Sequence, residues 1–411
     1  MTESSHASED QSETKLPLAG KVIVCLATQE WDAHWSVAQQ VASRLAPDNR
    51  VIYVEPFHPP FAWLKQKNQL LKKQRKEETP RIRTVQPNLV VYRPEGSYLP
   101  GNMRSQSAYR WNSFVYAWEL RRMMRNLDAQ HAIIWAFFSQ SLVVTTLPCD
   151  AFVYDCVDDW PSFFPNPIER KWVERMDAGL TKRADIVFTG SGPLRDKKAG
   201  QNRRIQVVNH AADVAHFLKA SAAETVEPPD IANLPHPRIG FVGMIDTLRF
   251  DQELIVQLAR INGYQVVIVG GFLNGAERLI PDFPNIHKLG MRQVSELPGY
   301  LKGMDVCIMP YRVNETTRYI FPLKLFEYLA TGKPVVATAI PAVEQHSHYI
   351  YVAYKNEQFI DLVRDALASD TAVASERRQQ HARSHDWLAH VGEKAKALAD
   401  IYDERVRAAN N

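Results

Sequence analysis

The run from Pro322 to Glu327 brings together residue types that can hold a phosphate and a pair of sugar hydroxyls. The chain leaves the apolar run DVCIMPY (305–311), crosses a loop and enters a helix that begins near Pro322 and continues through KLFEYLA. Proline suits a first helical turn, where its missing N–H costs nothing. Free amides and the positive dipole end at such a turn hold phosphate oxygens, and Lys324 adds a point charge. Glu327 follows three residues later on the same side of the helix, where a carboxylate can accept hydrogen bonds from a ribose diol. Gly332 ends the helix before KPVVATA (333–339). An ordinary amphipathic helix with a Lys–Glu surface pair has the same spacing.

A second group of candidates is acidic. In VYDCVDDW (153–160), Asp155, Asp158 and Asp159 follow an apolar run. Neighbouring carboxylates cannot all ionise as easily as isolated ones, and one with a raised pKa can serve as general base on a hydroxyl. Asp158 is the first choice for that base and Asp159 the second; helix capping or a contact with another part of the chain is the competing role. The D-x-x-D-D spacing does not fit a metal-binding D-x-D. In TQEWDAHW (28–35), Glu30, Trp31, Asp32, His34 and Trp35 follow the first apolar run. Indole rings stack on sugars, and His or Asp can contact hydroxyls, although such a loop can also be plain aromatic packing. Trp31, Asp32, His34 and His210 are the candidates for the acceptor side. His210, after IQVVNHA (205–211) begins, is placed for a sugar or phosphate contact or for a turn.

These positions matter only if strands deliver them to one place. KVIVCLA (21–27), RVIYVEP (50–56), NLVVYRP (88–94), AIIWAFF (132–138), AFVYDCV (151–157), DIVFTGS (185–191) and IQVVNHA predict strands, with helix-like stretches such as Ser36 to Leu45 between them. After 220–237, which holds four prolines and no apolar period, the alternation restarts with RIGFVGM (238–244), QVVIVGG (265–271), NIHKLG (285–290), DVCIMPY and KPVVATA. Runs apolar on both faces and spaced by helices predict parallel sheets covered by helices. The fold expected is α/β, with two Rossmann-like, doubly wound parallel-sheet domains facing a central cleft. Its parts are a disordered tail (1–19), a first domain (20–219), a linker (220–237), a second domain (238–385) and a C-terminal helix (386–411). Ligands bind open α/β sheets at the carboxyl ends of their strands, where the candidates stand.

Composition narrows the function classes. With 45% apolar and 23% charged residues and a net charge of +3, the chain can bury two cores and lacks the overall charge of a nucleic-acid binder. Four scattered cysteines make no disulfide framework or zinc pattern, and the polar start carries no signal peptide, so a cytoplasmic protein is expected. The first strand lacks G-x-G-x-x-G, which disfavours nicotinamide and flavin enzymes, and no P-loop or G-x-S-x-G occurs. Charge is uneven. Residues 64–125 carry 14 Lys and Arg against 4 Asp and Glu, and WLKQKNQLLKKQRK (63–76) and RWNSFVYAWELRRMMR (110–125) mix them with aromatic and aliphatic residues. That mixture favours an anionic membrane surface; a solvated basic helix is the alternative.

The 316–341 segment resembles the nucleotide-sugar-binding signature of GT-B glycosyltransferases of the family 4 type. The matching positions are Pro322, Lys324, Phe326, Glu327, Tyr328, Leu329, Ala330, Gly332, Lys333, Pro334, Val335 and Val336. GFVGMIDTLRFDQELI (240–255), NIHKLGMRQVSELPGYLKGMDVCIMPY (285–311) and VVNHAADVAHF (207–217) are similar to further family segments in the expected order. The likeness is nearest to enzymes of bacterial surface polysaccharides, of teichuronic-acid and xanthan type. It implies that Gly243 lets a loop approach the donor diphosphate and that Arg249 binds phosphate. Leu289, Met291 and Arg292 would meet the nucleobase. Lys324 and the amides of Phe321, Pro322 and Leu323 would hold the diphosphate, and Glu327 the ribose. One departure is Tyr319, where many members have the first Glu of an E-x7-E pair; a retaining mechanism is less secure without it. The expectation is a glycosyltransferase that uses a nucleoside-diphosphate sugar, a UDP-sugar first, as co-substrate, with no cofactor and no metal. Its acceptor would be lipid-linked or a saccharide, and it would sit on the inner face of the plasma membrane. A sugar-nucleotide epimerase of the same form and a non-catalytic subunit of a polysaccharide assembly complex are the rivals.

Overall fold

The computed structural model describes residues 16–33, 35–58, 80–273 and 275–410. Two parallel sheets organise them. The first is built from β1 (Val22–Leu26), β2 (Arg50–Val54), β3 (Ile82–Gln86), β4 (Leu89–Tyr92), β5 (Ile133–Ala136), β6 (Ala151–Cys156), β7 (Ile186–Thr189) and β8 (Ile205–Val207), in the order β3-β4-β2-β1-β5-β6-β7-β8. All neighbours run parallel except β3, an antiparallel edge joined to β4 by a tight turn in which Asn88 takes φ 60°. Asparagine accepts that left-handed conformation more readily than most residues. The flanking helices include α1 (Val37–Leu45), α2 (Gln106–Asn126), α3 (Pro167–Arg183) and α4 (Gly192–Lys198).

The second sheet comprises β9 (Arg238–Val242), β10 (Gln265–Val269), β11 (Ile286–Gly290), β12 (Val306–Met309), β13 (Val335–Thr338) and β14 (Tyr351–Ala353), ordered β11-β10-β9-β12-β13-β14 and wholly parallel. Around it lie α5 (Gln252–Ala259), α6 (Lys324–Thr331), α7 (Asn356–Ser369) and α8 (Ala372–Arg383). In both sheets the central strands are buried on both faces, which is why they stand out as unbroken apolar runs.

The two units are tied together at several points. The last helix, α9 (Trp387–Asn410), returns to the first unit and buries Trp387, Val391, Ala395 and Leu398 in its core, a stripe at helical spacing. Lys394 on that helix pairs with Asp155 on β6 at 2.7 Å, both almost wholly buried. Asp155 also accepts from Trp135 Nε1, so its carboxylate is committed to holding the crossover. Leu16 and Leu18, in the expected tail, pack into the first core, and Leu16 N–H bonds Asp48. Ala212, Val214 and Phe217 already belong to the second core, and the stretch after 220 is pinned to that unit by Asp230 with Arg292 and by Lys302 Nζ donating to Ala222 O. The run 63–76 lies outside the described residues.

Candidate active site

A cavity of about 390 Å³ opens between the units. Its walls come from residues that directly follow strands: Thr28 after β1, Asp158 after β6, His210 after β8, Gly243 after β9, Met291 after β11 and Tyr311 after β12. The carboxyl ends of both sheets therefore converge on one space.

The wall from the second unit is built around α6. Leu325, Phe326, Tyr328, Leu329 and Ala330 bury one face of this helix. The opposite face sends Lys324 and Glu327 to the cavity. Neither side chain makes a hydrogen bond or ion pair among the described residues, and burial pushes the Lys324 ammonium down and the Glu327 carboxyl up from their ordinary values. Pro322 has no N–H, so it contributes nothing to the amide cradle expected over Phe321–Leu323. The amides of Leu323 and Lys324 have no acceptor among the described residues. Two N–H groups and an ammonium are thus available at this helix start, a setting that suits an anion.

Gly243 makes room for this arrangement. Its φ is +147°, and a Cβ there would stand 1.9 Å from Lys324 Cε. Tyr328 OH both accepts from Val242 N–H at 2.8 Å and donates to Val242 O at 3.2 Å, which locks the end of β9 to α6. The tyrosine of the motif is therefore a positioning group. Arg249 reaches the cavity but is held by Asp246, at 2.6 Å, with its guanidinium 5.6 Å over the Phe163 ring. The i,i+3 spacing of Asp246 to Arg249 is the one sequence signal for this brace. Met291 and Arg292 line the cavity, with Arg292 paired to Asp230 at 2.6 Å and bonded to Tyr300 OH. Leu289 does not line it; its side chain packs against the second core.

The opposite wall is more selective. Asp158 faces the cavity half-buried, and its carboxyl is pushed up to about 6 by desolvation, with Asp159 adding and Arg249 across the cleft opposing. Asp159 points away. It is buried and paired with Lys197 at 2.7 Å, so it is a poor second choice for a base. His210 lines the cavity and bridges the units, its Nδ1 lying 3.0 Å from Phe321 O. A carbonyl can only accept, so Nδ1 carries the proton. Burial pushes His210 down to about 3, which keeps it neutral, and its buried Nε2 is an acceptor with no partner among the described residues.

The 28–35 loop divides. Trp31, expected to face the cleft, is buried in the first core edge-on to Tyr53 and Trp35. Asp32 is exposed and pairs with Arg83 at 2.6 Å, away from the cavity. His34 lies outside the described residues. Trp35 is the indole of this loop that lines the cavity, 42% exposed. Tyr319 sits at the seam: its carbonyl accepts from Ser191 Oγ at 2.7 Å and its ring lies 4.5 Å below Lys197 Nζ.

Comparison with known proteins agrees with this geometry. Residues 236–369 match the family model described as glycosyl transferases group 1, a span that contains the α6 wall. The chain is 26% identical over 306 residues to TuaH of Bacillus subtilis (strain 168), whose name assigns it to teichuronic acid biosynthesis as a glycosyltransferase; the match covers 68% of this chain and 76% of TuaH. Among solved structures, the sucrose-phosphate synthase of Thermosynechococcus elongatus superposes with a TM-score of 0.66 at 13% identity, covering 94% of this chain and 100% of that one. Anabaena HepE, solved with UDP and glucose, gives 0.61 at 16% identity over 92% and 99% of the two chains. The second unit is a glycosyl transferase group 1 domain set in a GT-B fold, and the chain is a glycosyltransferase.

Proposed function

We propose that the protein transfers a sugar from a UDP-sugar to a lipid-linked or saccharide acceptor in the assembly of a bacterial polysaccharide. The observation that carries this reading is Lys324 and Glu327, without hydrogen-bond or ion-pair partners among the described residues and beside two free amides, facing Asp158 across one cavity. The UDP held by HepE and the teichuronic-acid role in TuaH's name support the donor and the pathway class.

In this reading Glu327 accepts from the ribose diol, and Lys324 with the Leu323 and Lys324 amides receives the diphosphate. Arg249, braced by Asp246, adds positive charge beside it. These groups are fixed before the reaction, so they stabilise the negative charge that grows on the diphosphate as its bond to the anomeric carbon breaks. The acceptor oxygen bonds to that carbon and its proton passes to Asp158, whose raised pKa suits a base near neutral pH. Neutral His210 offers Nε2 to a donor-sugar hydroxyl, and Trp35 offers a ring face to the acceptor. We assign the leaving-group stabilisation to these residues, with no divalent metal in the transfer step; omission of Mg²⁺ and Mn²⁺ from the assay, with no loss of rate, is the expected result.

The exposed face of α2 supports peripheral attachment to the inner face of the plasma membrane. Trp111, Phe114 and Trp118 are 46%, 68% and 52% exposed at i, i+3 and i+7, with Arg110, Arg121, Arg122 and Arg125 beside them. Such a face suits an anionic surface, each basic residue adding about 1 kcal/mol near it. No described helix is long and apolar enough to cross a membrane. Incubation with radiolabelled UDP-sugars and a bacterial lipid extract tests the whole reading: label should move to the lipid or saccharide fraction. Donor epimerised without transfer, or bound and returned unchanged, would overturn it.

A further inference from the structure

Behind α6, off the cavity, three histidines meet. His346 follows β13, His381 lies on α8, and His385 stands where the chain leaves the second unit for α9. One ring nitrogen from each lies within 4.8 Å of the others, the one group of three metal-capable side chains so placed among the described residues. His346 Nδ1 and His381 Nε2 are 2.9 Å apart, near the roughly 3.3 Å that separates two nitrogens of a tetrahedral zinc site. His346 Nε2 is buried with no hydrogen-bond partner among the described residues. Whichever ring of that pair carries the shared proton, one buried polar atom stays unsatisfied.

The protons of the neighbouring rings can be traced. Asn209 O accepts from His390 Nδ1 at 2.7 Å, so that nitrogen holds the hydrogen. A neutral His390 then offers its Nε2 lone pair to His385 Nδ1, 3.2 Å away. His385 must donate there, which leaves its Nε2 as a bare lone pair. A ring that donates one N–H to a fixed acceptor while the other nitrogen is free is the arrangement of a metal-bound histidine with its supporting partner.

We propose that His346, His381 and His385 form a binding site for a borderline divalent metal, with Zn²⁺ as the ion to test, and that His390 supports it. The site clamps the crossover. Phe326 of the donor helix stacks on His385 at 4.0 Å and 11°, while His390 links the site to Asn209 at the end of the first unit. None of the three ligands lines the cavity, so this metal is structural and stands apart from the transfer step.

The test uses the full chain, stripped with a chelator and dialysed, then titrated with Zn²⁺ against a chromophoric competitor. One equivalent should bind and raise the melting temperature. The His381→Ala/His385→Ala double variant should lose this binding, His390→Ala should weaken it about 10- to 100-fold, and His131→Ala, a surface substitution, should leave it intact. Co²⁺ on the unsubstituted chain should give the intense visible bands of a tetrahedral nitrogen site, a readout that depends on no variant. Absence of stoichiometric binding, retention of full affinity in the double variant, or a pale octahedral Co²⁺ spectrum would overturn the proposal; filling of the crossover by aromatic rings alone would then be the role of the cluster.

Discussion

The two walls of the cleft treat their charged residues in opposite ways. On the α6 wall, Lys324 and Glu327 have no hydrogen-bond or ion-pair partner among the described residues, and the local backbone is shaped around them by Gly243 and Tyr328. On the first unit's wall, three of the four acids near the chemistry are already occupied: Asp155 by Lys394, Asp159 by Lys197 and Asp32 by Arg83. Asp158 alone of these faces the cavity. A charged group kept half-buried and unpaired raises the energy of the empty protein, and a ligand of complementary charge relieves it. The same residue types placed in ion pairs hold the fold instead. The acid proposed as base and the structural acids are thus separated by partner, and the partner is distant in sequence.

Breaking the structural side of this contrast has the largest expected effect. Lys394→Met leaves the Asp155 carboxylate buried and unpaired, and should lower unfolding free energy by about 3–5 kcal/mol in urea titrations. A loss near zero would mean that the Asp155 carboxylate does not depend on this pair. On the other wall, Lys324→Ala should reduce kcat by roughly 10²–10³-fold while leaving the urea midpoint nearly unchanged, the pattern of a group that meets the growing charge. A large stability loss with normal turnover would make Lys324 structural.

Asp158→Asn should reduce turnover about 100-fold. The sign of its pH dependence follows from the raised pKa. A base works only when deprotonated, so the rate of the unsubstituted enzyme should fall as pH drops through about 6, and the variant should lose that limb. An unchanged limb would move the role to another group. The smallest effect belongs to Asp32→Asn. The Asp32 side chain is 67% exposed, so stability should change by less than about 1 kcal/mol and transfer should not change. A sharp loss of transfer would return Asp32 to the acceptor site.

The same contrast explains what was legible in the sequence. Buried central strands announce themselves as apolar runs, and the α6 wall is contiguous in sequence, so its residues and their spacing could be read together. β3 escaped because an edge strand is half exposed and IRTVQ carries no apolar run. The loop 28–35 was legible as a place but not as an orientation. Which indole turns inward depends on Tyr53 and Glu55, the latter accepting from Trp31 N–H at 3.0 Å. Asp158 and Asp159 differ by one position, and only Lys197 on α4, 38 residues away, decides which of them is neutralised. The proline at 322 did carry a local signal: its missing N–H removes one of the three amides expected to meet the phosphate.

The most direct test of the central claim compares UDP and uridine by isothermal calorimetry on the full chain and on Lys324→Met. UDP should bind the unsubstituted protein at least tenfold more tightly than uridine, and the substitution should remove most of that difference while uridine affinity stays the same. Equal affinities for UDP and uridine, or a UDP preference that survives Lys324→Met, would contradict it.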